Sequence, residues 1–182
     1  MKGRLALIVA AAAALLALAA SPAVAGSTQG TFLLVMEAPN FGRAPNGDRV
    51  VVTGDGSFSL HPKAVEASGE FSHLDPAGNV VGSGTWTATE LLSFNFYGCR
   101  FIPAEGVDLG DDNLCGGAVK MRVVLDTPTG QFPGVMTVFC IIGPKAPTSH
   151  NDLSEEGVAL NIPGVINFNH ADGGENIWIR VS

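Results

Sequence analysis

Glu90 and Arg122 are the residues whose types and positions are best suited to acid–base chemistry. Lys120 and Arg122 share one face of the strand-like segment 118–126. If that face met Glu90 across the interior of a barrel, Glu90 and Arg122 would form a buried charge pair, as acid–base sites often do. The alternative is that Lys120 and Arg122 point to solvent and that Glu90 is a local exception at a bend. Within the segment 86–96, alternation places Glu90 on one face with Trp86, Ala88, Leu92, Phe94 and Phe96.

A ligand cavity is the second chemical possibility. A closed antiparallel barrel of about eight strands has either a filled interior or room for one small apolar ligand. His73 alternates with Phe71 along the segment 69–74, so it would face that interior. Aromatic residues on strands are also ordinary core residues. The candidate ligand-binding residues are Glu90, Arg122, His73, Trp86, Phe94 and Phe96, and no catalytic residue is assigned.

Sequence motifs for metal or hydrolase chemistry are missing. The four histidines are dispersed without HExxH or Cys/His zinc spacing, and no GxSxG motif occurs after the N-terminal apolar run. Oxygen-bearing side chains gather at 108–113, 150–156 and 172–176, where calcium binding is the alternative to simple solvation. None of these segments has EF-hand spacing, so the sequence predicts no metal and no cofactor.

Three cysteines allow one disulfide in three possible pairings. Cys99 and Cys115 flank an insertion rich in Gly and Asp, so we favour that pair, which would join a loop to the strands on either side. Cys140 lies inside an apolar run and is interpreted as a buried small hydrophobic residue rather than a nucleophile.

The N-terminal segment predicts export. Residues 1–25 begin with Lys2 and Arg4, continue with the apolar run 5–20 and end in Ala23-Val24-Ala25, which has the small-x-small form of a signal-peptidase site. An uncleaved anchor is the alternative, but the run is shorter than the roughly 18 to 20 residues that cross a bilayer. We therefore predict a cleaved signal peptide at 1–25, a single domain at 26–182, no later membrane span, and secretion to the extracellular space or the periplasm.

The charge balance narrows the range of partners. The chain has 17 Asp and Glu residues against 10 Lys and Arg residues, and its net charge is −7. Nucleic acids and anionic membranes are disfavoured as partners because phosphate binding depends mainly on Lys and Arg. The predicted partner is a small apolar molecule or an extracellular surface partner.

The residue pattern of the remaining chain is typical of an all-β protein. Short β-like runs alternate with Gly, Pro, Asn and Asp, which is typical of an antiparallel barrel or sandwich. We predict a single antiparallel β-barrel, or alternatively a β-sandwich, of about eight to nine strands. In the clearest hairpin, 69–74 pairs with 80–89 and the second arm continues as a long central strand. Residues 54–56 are predicted as a turn between two strands, and 38–48 as a loop.

Two stretches carry a resemblance to known proteins. At GEFSHLDPAGNVVGSGTWTATELLSFNFYGC and at GVINFN, the sequence resembles a group of small exported bacterial β-rich proteins of no assigned function. This resemblance covers roughly residues 57–168 and supplies no catalytic residues. More distantly, the long strands punctuated by Gly are similar to the barrels of dirigent and allene oxide cyclase proteins, a likeness that implies binding of hydrophobic small molecules.

These observations favour a secreted, non-enzymatic binding or interaction protein that holds a small apolar ligand in a β-barrel. One alternative is a cofactor-independent enzyme of isomerase or cyclase type, with Glu90, Arg122 and His73 inside the barrel. The other is a structural component of the envelope or the extracellular matrix. An enclosed cavity would favour the binding protein or the enzyme, whereas a filled core with an exposed apolar patch would favour the structural component.

Overall fold

Antiparallel strands make up almost all of the regular structure. The computed structural model describes residues 30–103, 105–147 and 156–182, and within them no helix is long and apolar enough to cross a membrane. The predicted signal peptide lies outside the described residues. The described residues form thirteen strands: β1 Thr31–Ala38, β2 Asn40–Arg43, β3 Arg49–Leu60, β4 Lys63–Leu74, β5 Val80–Cys99, β6 Phe101–Ile102, β7 Val107–Asp108, β8 Leu114–Thr127, β9 Gly130–Cys140, β10 Gly157–Ile162, β11 Ile166–Phe168, β12 His170–Ala171 and β13 Glu175–Arg180.

Six of these strands close a circuit of antiparallel pairs in the order β1, β3, β4, β5, β8, β13 and back to β1. Two extensions branch from the circuit: β9, β10 and β11 continue from β8, and β2 and β12 continue from β3. The extensions approach each other closely, since a side chain at Gly42 would meet the carbonyl oxygen of Val158. The predicted all-β antiparallel fold is confirmed. Because of the extensions it is not a clean barrel, and the sandwich alternative also fits it.

The predicted central hairpin is confirmed. β4 pairs with β5, and the turn between them is fixed by the Asp75 carboxylate, which accepts hydrogen bonds from the backbone N–H groups of Ala77 and Asn79 at 2.9 and 2.8 Å. Gly78 supplies the positive φ that the turn requires. As predicted, the second arm continues as one long strand, β5, which pairs with β8 over most of its length.

Two predictions on the N-terminal half are wrong. Residues 54–56 are not a turn, since β3 runs through them, and the predicted loop 38–48 contains β2. The glycine at 54 serves close packing instead: a Cβ there would lie 2.7 Å from Cζ2 of Trp86. The indole Nε1–H of Trp86 donates a 2.9 Å hydrogen bond to the carbonyl oxygen of Thr53. The backbone carbonyl oxygen of Ser68 would lie closer still, so the glycine is required by close packing against β4 and the Trp86 ring and not by a change of direction.

The placement of Glu90 on the apolar face of β5 is also wrong. The pairing of β5 with β8 shifts between Ala88 and Glu90 and again between Leu91 and Ser93. Each bulge adds one unpaired residue and reverses the alternation of the side chains that follow it. Glu90 therefore points outward and Leu91, which is 2% exposed, points into the core. The second bulge restores the inward direction of Phe94.

Aromatic side chains fill one end of the interior. At the end where β13 pairs with β8 through Trp178 and Cys115, an aromatic cluster packs with ring centroids 4.9 to 6.2 Å apart. Its members are Phe32, Phe58, Phe94, Phe96 and Trp178. Trp86 and Met121 extend the buried core from this cluster along the sheet. The opposite end, towards Thr127 at the other terminus of β8, is where the chain leaves a cavity.

Candidate functional site

Three hairpins converge at the end of the sheet opposite the aromatic cluster. In the β5–β8 register, Thr85 lies opposite Asp126, close to where β4 and β5 are joined. β8 turns into β9 after Thr127, and β9 pairs with β10, which turns into β11 after Ile162. Because each pair is antiparallel and adjacent to the next, the three turns lie at the same end of the sheet.

An apolar cavity of about 390 Å³ lies between these hairpins, and we call it the hairpin pocket. This volume is at the lower end of the roughly 300 to 1,000 Å³ that is usual for small-molecule sites. Its wall is formed by Val50, Phe71, His73, Val81, Gly82, Ser83, Leu125, Thr127, Pro128, Thr129, Phe132, Leu160, Ile162, Val165, Ile166 and Phe168. The exposed apolar side chains Val81 and Val165, at 59% and 62% exposure, stand at its rim.

His73 faces the hairpin pocket, in agreement with its predicted alternation with Phe71. Its Nε2 atom lies 2.7 Å from Oδ2 of Asp48, and the two side chains are only 26% and 15% exposed. The ring also packs edge-on against Phe168, with centroids 5.2 Å apart. The imidazole is thus held on two sides, by a carboxylate and by an aromatic ring. Asp48, in the turn between β2 and β3, has no motif that would have connected it to His73 in the sequence.

Glu90 and Arg122 form the predicted pair, but on the outer surface. Nε of Arg122 donates a 2.8 Å hydrogen bond to Oε2 of Glu90, and the side chains are 57% exposed for Glu90 and 59% for Arg122. The pair lies outside the hairpin pocket. The structure therefore agrees with the alternative in which Arg122 points to solvent, and not with a charge pair buried in a barrel interior.

The three aromatic candidates take part in the core. Trp86 is 1% exposed, and Phe94 and Phe96 belong to the aromatic cluster at the filled end. None of the three contributes to the wall of the hairpin pocket. Of the six candidate ligand-binding residues, the structure brings only His73 to this pocket, and contact of the other five with a ligand stays a prediction.

The disulfide is confirmed as Cys99–Cys115, and Cys140 is a free, buried thiol. In the loop that the disulfide closes, Arg100 binds Asp108 through two hydrogen bonds of 2.7 and 2.9 Å and reaches Asp112 at 3.3 Å. Hydrogen bonds from Arg100 lower the pKa of the Asp108 carboxyl. Arg100 thus neutralises part of the negative charge of this segment.

The other two candidate calcium segments are 150–156 and 172–176. Residues 150–155 lie outside the described residues. Asp172, in the third segment, binds Arg49 at 3.0 Å. Across the parts of the chain that the structure describes, no group of three or more His, Cys, Asp or Glu side chains is arranged to hold a metal ion.

Sequence patterns did not predict the buried polar cluster around Glu156 and Asn176, which belong to two of the candidate calcium segments. Glu156 is 7% exposed and accepts a 3.0 Å hydrogen bond from the backbone N–H of Asn176. The Asn176 amide donates to Oδ1 of Asn40 at 2.5 Å, and the Cys140 thiol lies 2.9 Å from the Asn176 carbonyl oxygen. Burial raises the pKa of Glu156 to about 7 and that of the Cys140 thiol well above its usual value.

A cavity of about 460 Å³ lies beside Glu156, and its wall also contains Glu37, Glu105 and Glu175. Isoleucine and leucine side chains also line this wall, but its acidic groups make it less suited to an apolar ligand than the hairpin pocket, since such a ligand would have to desolvate them without pairing them. The hairpin pocket therefore remains the site with the clearest chemical preference.

Comparison of the chain with protein-family models, curated proteins and solved structures finds no match in any of the three. The resemblance to small exported β-rich proteins stays a prediction.

Proposed function

We propose that this protein is an exported, non-enzymatic binding protein that holds a small apolar molecule in the hairpin pocket. The observation that carries the proposal is a preformed apolar cavity of about 390 Å³ at one end of an interior whose other end is filled by aromatic rings. Transfer of an apolar ligand from water into such a cavity is favourable by roughly 25 cal/mol for each Å² of apolar surface that is buried. The exposed valines at the rim extend this surface beyond the cavity itself.

Gly82 offers a way to fill the pocket without disturbing the sheet. It lies in the pocket wall, and a Cβ at this position would meet only the Cβ of His73, at an ordinary contact distance of 3.8 Å. Gly82→Leu would therefore place a branched apolar side chain where the ligand is proposed to lie. Thr85→Leu is the matched control, because Thr85 is exposed on the same strand and lies outside the pocket wall.

The experiment measures binding of a neutral apolar dye, N-phenylnaphthylamine, by the increase in its fluorescence. We expect the unaltered protein and Thr85→Leu to bind with the same affinity, and Gly82→Leu to bind at least about tenfold more weakly, since competing side-chain atoms cost about 1.4 kcal/mol or more. Equal binding by all three proteins, or no binding by any, would overturn the proposal. Native mass spectrometry of protein purified from its host, searched for a retained small molecule, identifies the natural ligand.

A further inference from the structure

The hairpin pocket contains one strongly directional polar group, the imidazole of His73. Other polar side chains in the wall are hydroxyls. Thr127 donates to the carbonyl oxygen of Gly130 at 2.8 Å and lies 3.0 Å from the Thr129 hydroxyl, so these two groups are already engaged with one another. Ser83 is exposed at the rim. A ligand that enters the pocket therefore meets the half-buried His73 as its principal polar partner.

Asp48 fixes which nitrogen of His73 carries the proton. An ionised carboxylate only accepts hydrogen bonds, so Nε2 must be the N–H that lies 2.7 Å from Oδ2 of Asp48. In the neutral ring this leaves Nδ1 with a lone pair and no proton. Among the described residues Nδ1 makes no hydrogen bond, and it is not sealed from solvent. His73, a residue of the pocket wall, thus carries a nitrogen acceptor of fixed tautomer, whereas the other polar side chains of the wall are hydroxyls that can both donate and accept.

From this arrangement we infer that the ligand is an apolar molecule with a hydroxyl group, and that this hydroxyl donates a hydrogen bond to Nδ1 of His73. The inference rests on the proposed binding function and specifies its ligand class. A hydrocarbon or an ether fills the same space but leaves Nδ1 without a donor once water is displaced. An acceptor that loses its water to the ligand and gains no donor in return costs at least about 1 kcal/mol, so a preference of roughly tenfold for the alcohol is expected.

The inference is tested with two isomeric ligands that have the same atomic composition. Octanol and heptyl methyl ether have the same composition and nearly the same shape, but only octanol has a hydroxyl. Each is titrated against dye-loaded protein at the same pH and ionic strength. The expected result is that octanol displaces the dye about tenfold more effectively than the ether.

Two variants test whether the preference for octanol over the ether depends on His73 and on its tautomer. His73→Phe keeps a flat ring against Phe168 and removes the acceptor, so the ratio of the two affinities is expected to fall to about one while the ether binds as before. In Asp48→Asn the side-chain amide can donate to Nε2 as well as accept from it, so the tautomer is no longer fixed and the ratio of the two affinities is expected to fall. Nitrogen NMR of the unaltered protein is expected to show the proton on Nε2.

The outcomes separate the two proposals. If both isomers displace the dye equally from the unaltered protein while Gly82→Leu weakens both, the pocket binds apolar molecules and the inference about the hydroxyl is wrong. If the ratio is unchanged in His73→Phe, the inference is also wrong. If neither isomer displaces the dye and Gly82→Leu has no effect, the proposed binding function itself fails.

Discussion

Arg122 donates a 2.8 Å hydrogen bond from Nε to Oε2 of Glu90 on the outer surface of the sheet, where both side chains are more than half exposed. A cross-strand ion pair in this setting is screened by water and salt, and such pairs usually contribute about 0 to 1 kcal/mol. The charge pair that would have marked a buried acid–base site is therefore a surface contact between β5 and β8.

Glu90→Gln is accordingly expected to lower the free energy of unfolding by less than about 1 kcal/mol and to leave dye binding unchanged. Urea unfolding of the variant and the unaltered protein measures the first effect, and repetition at high salt should narrow the difference further. A loss of more than about 3 kcal/mol, which is typical of broken buried pairs, would contradict the exposed position.

The position of Glu90 shows why the strand pattern predicted the fold better than the site. Alternation of apolar and polar residues over 80–99 was sufficient to identify a long strand, because each of its 20 residues contributes to the pattern and one exception does not hide it. It was not sufficient to orient each side chain, because a bulge adds one residue without changing the composition. No single-residue signal marks Thr89 and Leu92 as unpaired, so the inward and outward faces were exchanged between the two bulges.

The contacts that build the hairpin pocket could not be predicted from the sequence, for a related reason. His73 could be placed inside from its alternation with Phe71, which is a local property. Its partner Asp48 is 25 residues away and reaches it only because β3 and β4 pair in one particular register. The burial of Glu156 likewise depends on contacts with Asn176 and Cys140, which are distant in sequence. Contacts between distant segments depend on the register in which strands pair, and a single sequence contains no local pattern that reveals this register.

Gly54→Ala is predicted to destabilise the protein by about 3 kcal/mol, since it combines a strained positive φ with overpacking of the core. The added methyl group would lie 2.7 Å from Cζ2 of the buried Trp86 ring. Gly82→Ala is the matched control, because its Cβ would have its nearest contact at 3.8 Å, and its expected change is within about 0.5 kcal/mol. Urea unfolding followed by tryptophan fluorescence measures both. Equal stabilities of the two variants would show that Gly54 has no special packing role.

Removal of the disulfide is predicted to destabilise the protein by about 3 kcal/mol. The bond joins residues 16 apart in sequence, and loop-closure entropy gives this magnitude for loops of roughly 15 residues. The Cys99→Ala/Cys115→Ala double variant tests it, with reduced unaltered protein as the control, and the two should unfold at the same urea concentration. In the oxidised protein, only Cys140 should react with a thiol reagent, and only after unfolding. A disulfide-linked peptide that contains Cys140 in a non-reduced digest would refute the assignment.

Glu156 is predicted to make stability depend on pH near neutrality. Its pKa rises from an ordinary 4.5 to about 7 because burial disfavours the charged form. Between these values the folded state holds a proton that the unfolded state has released, so the folded state is favoured at the lower pH. Stabilisation from this group is complete below about pH 4.5 and is lost as the pH rises through about 7. The total loss in the free energy of unfolding is up to about 3 kcal/mol.

Glu156→Gln isolates this effect, because glutamine stays neutral at every pH and can still accept the hydrogen bond from the backbone N–H of Asn176. The free energy of unfolding is measured from about pH 4 to pH 8 for the variant, the unaltered protein and the control Glu70→Gln, which changes an exposed glutamate on β4 that does not act on Glu156. The unaltered protein and the control should lose stability relative to Glu156→Gln as the pH rises, with most of the difference developing between pH 4.5 and 7. Parallel curves for all three proteins would mean that Glu156 has the same pKa in the folded and unfolded states, and that the cluster with Cys140 does not exclude water as the structure requires.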